Sequence, residues 1–569
     1  MKNSVILGAI FCLVPLCYGH AQDIKLDQLG FYPQAEKIAI IPGGVVGESF
    51  YIIDQVTYDT VYTGVIRTAG YWELAKENVG QANFSDFMSP GVYKITSASG
   101  SSHPFEIGGN IYESLLKASV KSYYYQRAST ELLPIHAGEY KRDLAHPDDR
   151  VLVHPKAATE QRPAGTTLRA PRGWYDAGDY NKYVVNSGIS TYTLLAAFEY
   201  FGETLATLPL AIPESENQVP DVLDEVKWNL DWMLTMQDPH DGGVYHKLTS
   251  KEFSGFVTPG KAIKERYVMP KTTAATLNFA AVMAQASRVF AAYEQDFPGF
   301  SRACGEAALK AWKWSRINPA RIYDQPADVT TGEYGDDVLS DEFQWAATEL
   351  FVATRRDSFY TFINIPSITA TVPSWRNVSM LSLISLARHH HLLPAGERSQ
   401  AKKKLLDLAG RLLATYRDSP YKMPFGGAAS DFVWGSNGLA ANQGVVLLAA
   451  YYLTEDKHYL SAAMANMDYL LGRNPLNYCF VTGFGKKSPL DPHHRPSFSD
   501  HVIAPVPGFL VGGPNPGQQD KCTYPSDLPA LSYTDDVCSY ASNEVAINWN
   551  APLVFLLAGI IQAHGSERE

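Results

Sequence analysis

Hydrophobic and polar positions follow two different periods along this chain, and the change comes near residue 108. From Ile24 to Ile107, short β-rich runs such as KIAII, SFYIID and GVYKITS are separated by Gly, Pro, Asn and Ser. Runs of this length between turn residues are typical of strands. We therefore predict that residues 22–108 form a small β-sandwich of about seven strands.

From Ile111 onward, the apolar positions recur at helical spacing. The pattern predicts amphipathic helices and almost no strand, which indicates an all-α domain over residues 109–569. Several helices are apolar on two sides, as expected of an inner ring of helices that an outer ring covers. The eleven predicted helices span residues 112–126, 183–201, 222–237, 272–294, 300–317, 341–355, 375–391, 399–417, 438–454, 459–471 and 543–564.

The composition limits the partners of this chain. Its 569 residues carry a formal net charge of −11 and contain no long run of Lys or Arg. A surface that binds nucleic acid or an anionic membrane needs clustered positive charge, so neither is expected as a partner. The chain is rich in aromatic residues, with 33 Tyr and 10 Trp, and sugar rings stack on such flat apolar faces.

The N-terminus is predicted to be a signal peptide. Lys2 is followed by an apolar run from Val5 to Leu16 and by Gly-His-Ala before position 22, the order of a basic region, an apolar region and a cleavage site. We therefore predict that residues 1–21 are removed and that the protein is exported to the periplasm, the cell surface or the medium. Cys17 leaves a lipoprotein as the alternative. No later segment has the roughly 18 unbroken apolar residues of a membrane span.

Four cysteines lie after residue 21. Cys522 and Cys538 are close enough in sequence to pair in an oxidising compartment, although spacing alone does not establish the connectivity. No CxxC pair is present, so a metal held by thiolates is not expected.

The stretch GWYDAGDYNKYVVNSG, which begins at Gly173, carries the first candidate chemistry. Asp176 and Asp179 lie on one glycine-containing turn with aromatic residues on both sides. One interpretation is an ordinary loop in which Asp179 caps a helix that begins near Asn181. The other is a catalytic pair, because aromatic packing desolvates the carboxylates, and one can then deprotonate a water that the other orients.

If the chemistry is glycosidic, a third carboxyl group must lie across the scissile bond from this pair. Glu544 is the candidate, near the predicted start of the last helix and among Tyr540, Asn548 and Trp549. A Glu at a helix start is commonly a surface residue that complements the helix dipole. An apolar and amide-rich setting instead raises the pKa of a carboxyl group toward neutrality, as a general acid requires.

Three motifs together resemble glycoside hydrolase family 9, the inverting β-glucanases. They are GWYDAGDYNKY from Gly173, GKKSPLDPHHR from Gly485 and YTDDVCSYASNEVAINWNA from Tyr533, and LGRNPLNY and GGPN between them also match. The resemblance covers residues 110–566. It implies a mainly α fold, an (α/α)6-barrel catalytic domain, preceded by an immunoglobulin-like β-sandwich, and both agree with the two periods of the chain.

The resemblance also implies roles for five residues. Asp179 would be the general base that activates water, Asp176 would hold that water, and Glu544 would be the general acid. His493 and Arg495 would hydrogen-bond the sugar next to the cleaved bond. Without the family, the two adjacent histidines of PHHR are equally a metal pair or part of a solvated loop. Inversion requires about 6.5 to 9.5 Å between the carboxyl groups of base and acid, which leaves room for the water.

Three further residues are expected to contact the sugar. His246 resembles a family histidine that lines the cleft, and Trp434 resembles an aromatic platform, with Tyr540 as another contact. Each of them is alternatively an ordinary core residue. In many endo-acting members a tryptophan follows that histidine within a few residues, where this chain has Leu248, Thr and Ser. The difference leaves an exo mode open.

The stretch TGEYGDDVLSDEF is a candidate metal loop. A run of carboxylates before a helix is commonly a solvated helix start, but this one resembles the calcium loop of the family, and carboxylates suit Ca²⁺. Asp337, Asp341 and Glu342 would be ligands of a structural calcium ion, with Asn377 as a more distant one. Several relatives also bind zinc through Cys and His upstream of DAGD. This chain has no cysteine between positions 18 and 303, so no zinc is expected.

The sequence thus predicts an exported, cellulase-like glycoside hydrolase. Endo-cleavage of β-1,4-glucosidic bonds in cellulose, mixed-linkage glucan or xyloglucan is the leading hypothesis. The alternative within enzymes is exo-action, as a β-glucosidase or an exo-β-glucosaminidase on oligosaccharides. The alternative of another class is a non-catalytic glycan-binding protein. We expect a monomer whose N-terminal domain braces the barrel.

Overall fold

A computed structural model describes residues 23–565, so the predicted signal peptide lies outside the described residues. The N-terminal strands are β1 Gly30–Phe31, β2 Ile38–Pro42, β3 Ser49–Asp54, β4 Thr60–Val65, β5 Thr68–Trp72, β6 Glu77–Asn83, β7 Gly91–Ser97, β8 Gly100–Ser101 and β9 Phe105–Ile107. They form two sheets. One has the order β1-β9-β7-β3-β4, with β8 paired to β7, and the other has the order β2-β6-β5.

The two sheets form the predicted sandwich. Phe31, Phe50, Ile52, Phe84 and Phe105 meet in its core, as expected when alternate residues of each strand face inward. Nine strands are present in this part of the described chain where the sequence predicts about seven. The difference arises because β1 and β8 have two residues each, and runs that short show no alternation.

Strand β2 joins the sandwich to the helical domain. All five of its residues are buried. Ile38 and Ile40 belong to the core of the helical domain, whereas Ala39 and Ile41 belong to the core of the sandwich, as the two-residue period of a strand dictates. Trp72 of β5 also packs into the helical core. The sandwich and the helical domain therefore share a continuous apolar interface, as expected if the N-terminal domain braces, that is stabilises, the barrel.

The rest of the chain forms two concentric rings of helices. The helices are α1 Glu113–Tyr125, α2 Pro134–Ala137, α3 Val184–Ala206, α4 Asp221–Thr235, α5 Thr273–Val289, α6 Phe300–Ile317, α7 Ser340–Thr354, α8 Asp357–Tyr360, α9 Ser379–Arg388, α10 Ala395–Asp418, α11 Ser436–Thr454, α12 Lys457–Leu471, α13 Arg495–Ser499 and α14 Ile547–Gly565. The inner ring closes in the order α3, α5, α7, α9, α11, α14. Helices α1, α4, α6, α10 and α12 cover it, with the short α8 beside α7. This is the predicted (α/α)6 barrel.

Each of the eleven predicted helices coincides with a helix of the structure, but the last one begins later than the sequence predicts. Helix α14 starts at Ile547, because the preceding residues are extended. Glu544 pairs with His493 in a β-bridge, and Val545 pairs with Val511. Glu544 is therefore not at a helix start, and the interpretation of this residue as a partner of the helix dipole is wrong.

The helical domain also contains a small sheet that the sequence pattern does not predict. Its strand order is β11-β10-β14-β13-β12. Each strand has only two or three residues, so none of them produces a detectable alternation of apolar and polar positions. The strands are β10 Val151–Val153, β11 Thr167–Leu168, β12 Lys182–Tyr183, β13 Lys247–Thr249 and β14 Tyr267–Val268.

A disulfide joins Cys522 to Cys538, the pairing that the sequence left open. It ties the loop around residue 520 to the segment that leads into Tyr540 and Glu544. Cys304 and Cys479 are buried free thiols. Within residues 23–565, no helix has the length and apolar character needed to span a bilayer.

Candidate active site

Two glycines shape the turn that carries the aspartate pair. Gly173 has a φ of +80°, a left-handed conformation that favours glycine. At Gly178, an added Cβ would lie 1.9 Å from the backbone oxygen of His493. Only glycine permits so close an approach. The turn is therefore packed directly against the segment that carries the PHHR motif.

Asp176 is buried and accepts two hydrogen bonds. Tyr334 donates through its hydroxyl to Oδ2, and Asn186 donates through Nδ2 to Oδ1, each at 2.7 Å. Burial raises the pKa of Asp176 to about 8, and the neighbouring charge of Asp179 contributes to the increase. Two carboxyl groups this closely coupled resist double ionisation, so the pair favours a single negative charge.

Asp179 is the member of the pair that faces positive charge. Burial raises the pKa of Asp179, whereas Arg495, hydrogen bonds from Asn181 and the more distant Arg266 favour its ionised form. The single charge of the pair is therefore best placed on Asp179. Helix α3 begins only at Val184 and has no side-chain cap, so the interpretation of Asp179 as a helix cap is wrong.

Glu544 enters the site from the far end of the chain, on the extended segment that pairs with His493. Burial and the charge of Asp179 hold the pKa of Glu544 well above its usual range, with a smaller contribution from Asp176 and an opposing one from Arg495. This setting favours the protonated form of the Glu544 carboxyl group. That is the state in which a general acid must begin the reaction.

Arg495 connects the motifs around this site. Its backbone N–H and Nη1 donate to the carbonyl oxygen of Gly178 at 3.0 and 2.9 Å, and its Nε donates to that of Ser254 at 2.9 Å. His493 Nδ1 lies 2.6 Å from the carbonyl oxygen of Val537. These contacts fix both predicted sugar-binding residues beside the aspartate pair.

The neighbouring His494 tests the alternative interpretations of the PHHR motif. It is fully buried, with Nδ1 2.8 Å from Ser497 Oγ and Nε2 3.2 Å from Gln126 Oε1. His493 has a different partner. The two histidines therefore serve separate hydrogen-bond networks, and the motif is neither a metal pair nor a solvated loop.

The three carboxyl groups line one pocket with a volume of about 430 Å³. Tyr334 is the contact that the sequence analysis missed. It lies 158 residues from Asp176 and in the loop that the sequence marked for metal binding, so only a pairing signal between distant positions would have found it. The aromatic residues of the pocket are Tyr183, Phe253, Tyr334, Trp375, Trp434 and Trp549.

Comparison with known protein families identifies the family to which a chain with this fold and this pocket belongs. The family model "Glycosyl hydrolase family 9" matches residues 112–557, which cover the barrel and all three carboxyl groups. The chain belongs to glycosyl hydrolase family 9. A second model, "Cellulase N-terminal ig-like domain", matches residues 20–102. This family 9 chain is therefore a glycoside hydrolase with an immunoglobulin-like domain in front of its barrel.

Individual relatives agree with the family assignment. A xyloglucan-specific endo-β-1,4-glucanase of Bacteroides ovatus is 45% identical over 551 residues, 94% of this chain and 93% of that protein. Endoglucanase D of Acetivibrio thermocellus is 33% identical over 556 residues, 96% of this chain and 81% of that protein. A solved family 9 structure from Bacteroides ovatus has a TM-score of 0.89 and 42% identity, covering 95% of this chain and 99% of that one. The solved structure of a metagenome-derived family 9 endoglucanase has a TM-score of 0.86 and 34% identity, covering 95% of this chain and 99% of that one.

Trp434 and Tyr540 lie side by side at the family 9 pocket. Trp434 lines the pocket and is 43% exposed. Its ring lies 5.2 Å from that of Tyr540, which in turn lies 5.9 Å from the ring of His493. Of the five residues that the sequence predicts to bind sugar, the structure thus brings Trp434, Tyr540 and His493 together. Arg495 is the fourth and lies beside them.

His246 lies behind the pocket wall and does not line it. Its Nε2 is 2.7 Å from the carbonyl oxygen of Glu333, and the next residue, Lys247, donates from Nζ to that of Gly332 at 2.5 Å. These two carbonyls directly precede Tyr334, which contacts the aspartate pair. His246 therefore holds the segment that carries Tyr334, because both of its ring nitrogens are engaged inside the protein.

The predicted metal loop brings together Asp336, Asp341 and Glu342. Asp336 Oδ2, Asp341 Oδ1 and both carboxyl oxygens of Glu342 are buried without a hydrogen-bond partner among the described residues. Burial and the charge of Asp341, followed by that of Asp336, hold the pKa of Glu342 well above its usual range. Buried carboxylate oxygens without donors are what a Ca²⁺ ion takes as ligands, so these residues fit the expected ion.

The other two predicted calcium ligands do not join this group. The side chain of Asp337 is 71% exposed and points toward Arg376, 3.9 Å away. Asn377 Oδ1 accepts hydrogen bonds from the hydroxyls of Thr371 and Ser379. Within residues 23–565, no group of three or more His, Cys, Asp or Glu side chains is placed so that it could hold a metal ion without other ligands or rearrangement. A calcium ion here would also need backbone or water oxygens.

Proposed function

We propose that this chain is an inverting endo-β-1,4-glucanase whose substrate is xyloglucan or a related β-1,4-glucan. One observation carries the proposal: Asp179 and Glu544 line the same aromatic pocket in different electrostatic settings. Arg495 favours ionised Asp179, whereas burial and the charge of Asp179 favour protonated Glu544. Two carboxyl groups whose surroundings separate their protonation states are suited to be base and acid.

In the proposed reaction, Asp179 accepts a proton from water while the water oxygen bonds to the anomeric carbon. Glu544 gives its proton to the glycosidic oxygen, which leaves with the electrons of the broken bond. Asp176 orients the water, since Tyr334 and Asn186 fix both of its oxygens. The new bond forms on the face opposite the leaving group, so the configuration at the anomeric carbon is inverted.

The relatives support the substrate class. Both curated relatives described above are named as endo-acting glucanases, and the one at 45% identity is named as xyloglucan-specific. The pocket supplies Trp375, Trp434 and Trp549, whose flat faces suit the apolar faces of glucose rings. The negative charge of the chain, −11, does not obstruct an uncharged polysaccharide.

Calcium and export complete the proposal. A calcium ion at Asp336, Asp341 and Glu342 would neutralise three buried carboxylates and stabilise the start of α7. It would have no part in bond cleavage. The disulfide between Cys522 and Cys538 supports an oxidising compartment, which agrees with the predicted signal peptide, and we expect the exported protein to be a monomer.

Product analysis tests the proposal. With soluble xyloglucan, viscosity should fall early, while reducing ends rise slowly, because an endo-acting enzyme cuts within chains. A monosaccharide as the sole first product from cellohexaose would instead identify exo-action. Cleavage of chitosan oligosaccharides alone would identify a glucosaminidase. Binding of glucan with no release of reducing ends would identify a non-catalytic glycan-binding protein.

A further inference from the structure

Three phenylalanines next to the pocket have no role in the proposed reaction. Phe253 is 40% exposed and Phe498 is 54% exposed. Phe256 is half-buried, lies in the same loop as Phe253 and contacts Phe498. Large apolar side chains that share one exposed surface commonly mark a binding site. We call these three residues the phenylalanine ridge.

The ridge is continuous with the pocket. Phe253 lines the pocket together with the catalytic carboxyl groups. The guanidinium carbon of Arg495 lies 5.5 Å from the ring of Phe253 and 5.2 Å from that of Phe256. The ring of Phe256 is 5.0 Å from that of Phe498 and 5.1 Å from that of His493. The aromatic surface therefore extends from the pocket wall across Arg495 to Phe498.

The backbone holds the exposed rings in place. Lys264 Nζ donates to the carbonyl oxygen of Phe253 at 3.0 Å, and Arg495 Nε donates to that of Ser254 at 2.9 Å. Phe498 lies on α13, where its N–H donates to the carbonyl oxygen of His494 at 3.0 Å. A surface that is fixed before binding loses little conformational entropy when a ligand arrives.

We propose that the phenylalanine ridge binds glucose units of a β-1,4-glucan chain that lie outside the pocket. The proposal rests on the proposed function, because a polymer cut inside its chain must continue beyond the pocket. The ridge begins at the pocket wall and offers apolar ring faces with hydrogen-bonding groups of Arg495 and Lys264 nearby, which suits a ligand with apolar ring faces and hydroxyl edges. Phe498 itself does not line the pocket, so a long chain should depend on it more than a short oligosaccharide does.

The test compares long and short substrates in three variants. Phe498→Ala should lower kcat/KM on xyloglucan by about fivefold, the value of one aromatic contact, and leave cellotetraose hydrolysis unchanged. Phe498→Trp should restore the polymer rate, because a flat apolar face returns. Ile503→Ala is the matched control, since Ile503 is a fully exposed apolar residue four positions after the helix that carries Phe498.

A second readout does not depend on turnover. In the Glu544→Gln background, xyloglucan in a native gel should retard the protein, and Phe253→Ala with Phe498→Ala should reduce the retardation. Equal losses of kcat/KM on long and short substrates, or no loss on either, would contradict the proposal that the ridge binds glucan. Such a result would leave the proposed function intact. If the wild-type chain cleaves no β-1,4-glucan, the proposed function fails, and the ridge proposal fails with it.

Discussion

Two clusters of three acidic side chains lie in this barrel, and they have opposite surroundings. We call Asp176, Asp179 and Glu544 the catalytic cluster, after their proposed roles, and Asp336, Asp341 and Glu342 the loop cluster. The catalytic cluster faces an aromatic pocket and receives hydrogen bonds from Tyr334, Asn186 and Asn181. The loop cluster leaves four buried oxygens without a donor. The proposed roles follow this difference: the cluster with hydrogen-bond donors and an open pocket suits catalysis, and the cluster without donors suits a cation.

The largest expected effect comes from removing the proton donor of the catalytic cluster. Glu544→Gln should lower kcat on xyloglucan by about a thousandfold, because an amide cannot protonate the leaving oxygen. The same change in the loop cluster, Glu342→Gln, should leave kcat within about twofold at 25 °C, since this residue does not line the pocket. Equal losses in the two variants would show that the clusters do not differ in function.

Asp176→Asn should reduce activity and increase stability. Burial raises the pKa of Asp176 to about 8, above its unfolded value of about 3.9, so the folded state binds an extra proton between these values. The contribution of this group to stability is complete at low pH and is lost as pH rises toward 8. The asparagine variant has no such loss.

The measurement is Tm at pH 5 and at pH 8, together with kcat. We expect kcat to fall about a hundredfold and Tm to rise by about 2 °C at pH 8, with a smaller rise at pH 5. A variant that is less stable than the wild type at pH 8 would contradict the account of Asp176 as a desolvated carboxyl group.

Removing one donor of the catalytic cluster should have a smaller effect. Tyr334→Phe deletes the hydrogen bond to Asp176 Oδ2 and should lower kcat about tenfold with little change in KM. Tyr267→Phe is the matched control, because Tyr267 donates to the carboxylate of Glu265 at 2.7 Å on the surface. Steady-state kinetics of the two variants should separate them; similar values would remove Tyr334 from the mechanism.

The loop cluster should have the smallest effect on turnover, because its expected role is in stability. Calcium at a hundred times its Kd should add about 2.7 kcal/mol to the free energy of unfolding, which raises Tm by a few degrees. Asp336→Asn combined with Glu342→Gln should abolish the calcium response, whereas Asp337→Asn should keep it, because that side chain is exposed. A response lost only in the Asp337 variant would restore the ligand set that the sequence predicted.

The sequence and the structure agree where a local pattern carried the information. The strands, the helices and the sequence motifs around Asp179 and Glu544 are short-range signals, so the barrel and the family were predictable. The hydrogen bond from Tyr334 to Asp176 and the β-bridge between Glu544 and His493 were not predictable from the sequence. Nor was the finding that Asp336, and not Asp337, belongs to the loop cluster. The first two features depend on contacts between segments that are distant in the chain, and the third depends on the orientation of one loop residue. Neither kind of feature produces a periodic pattern in the sequence.

Proton NMR of the first sugar released tests the central claim most directly. The account predicts that water, activated by Asp179, attacks opposite the leaving group, so the new reducing end should appear first as the α-anomer and reach the equilibrium mixture later. Initial appearance of the β-anomer would mean retention through a covalent intermediate. That result would contradict the roles assigned here to Asp179 and Glu544.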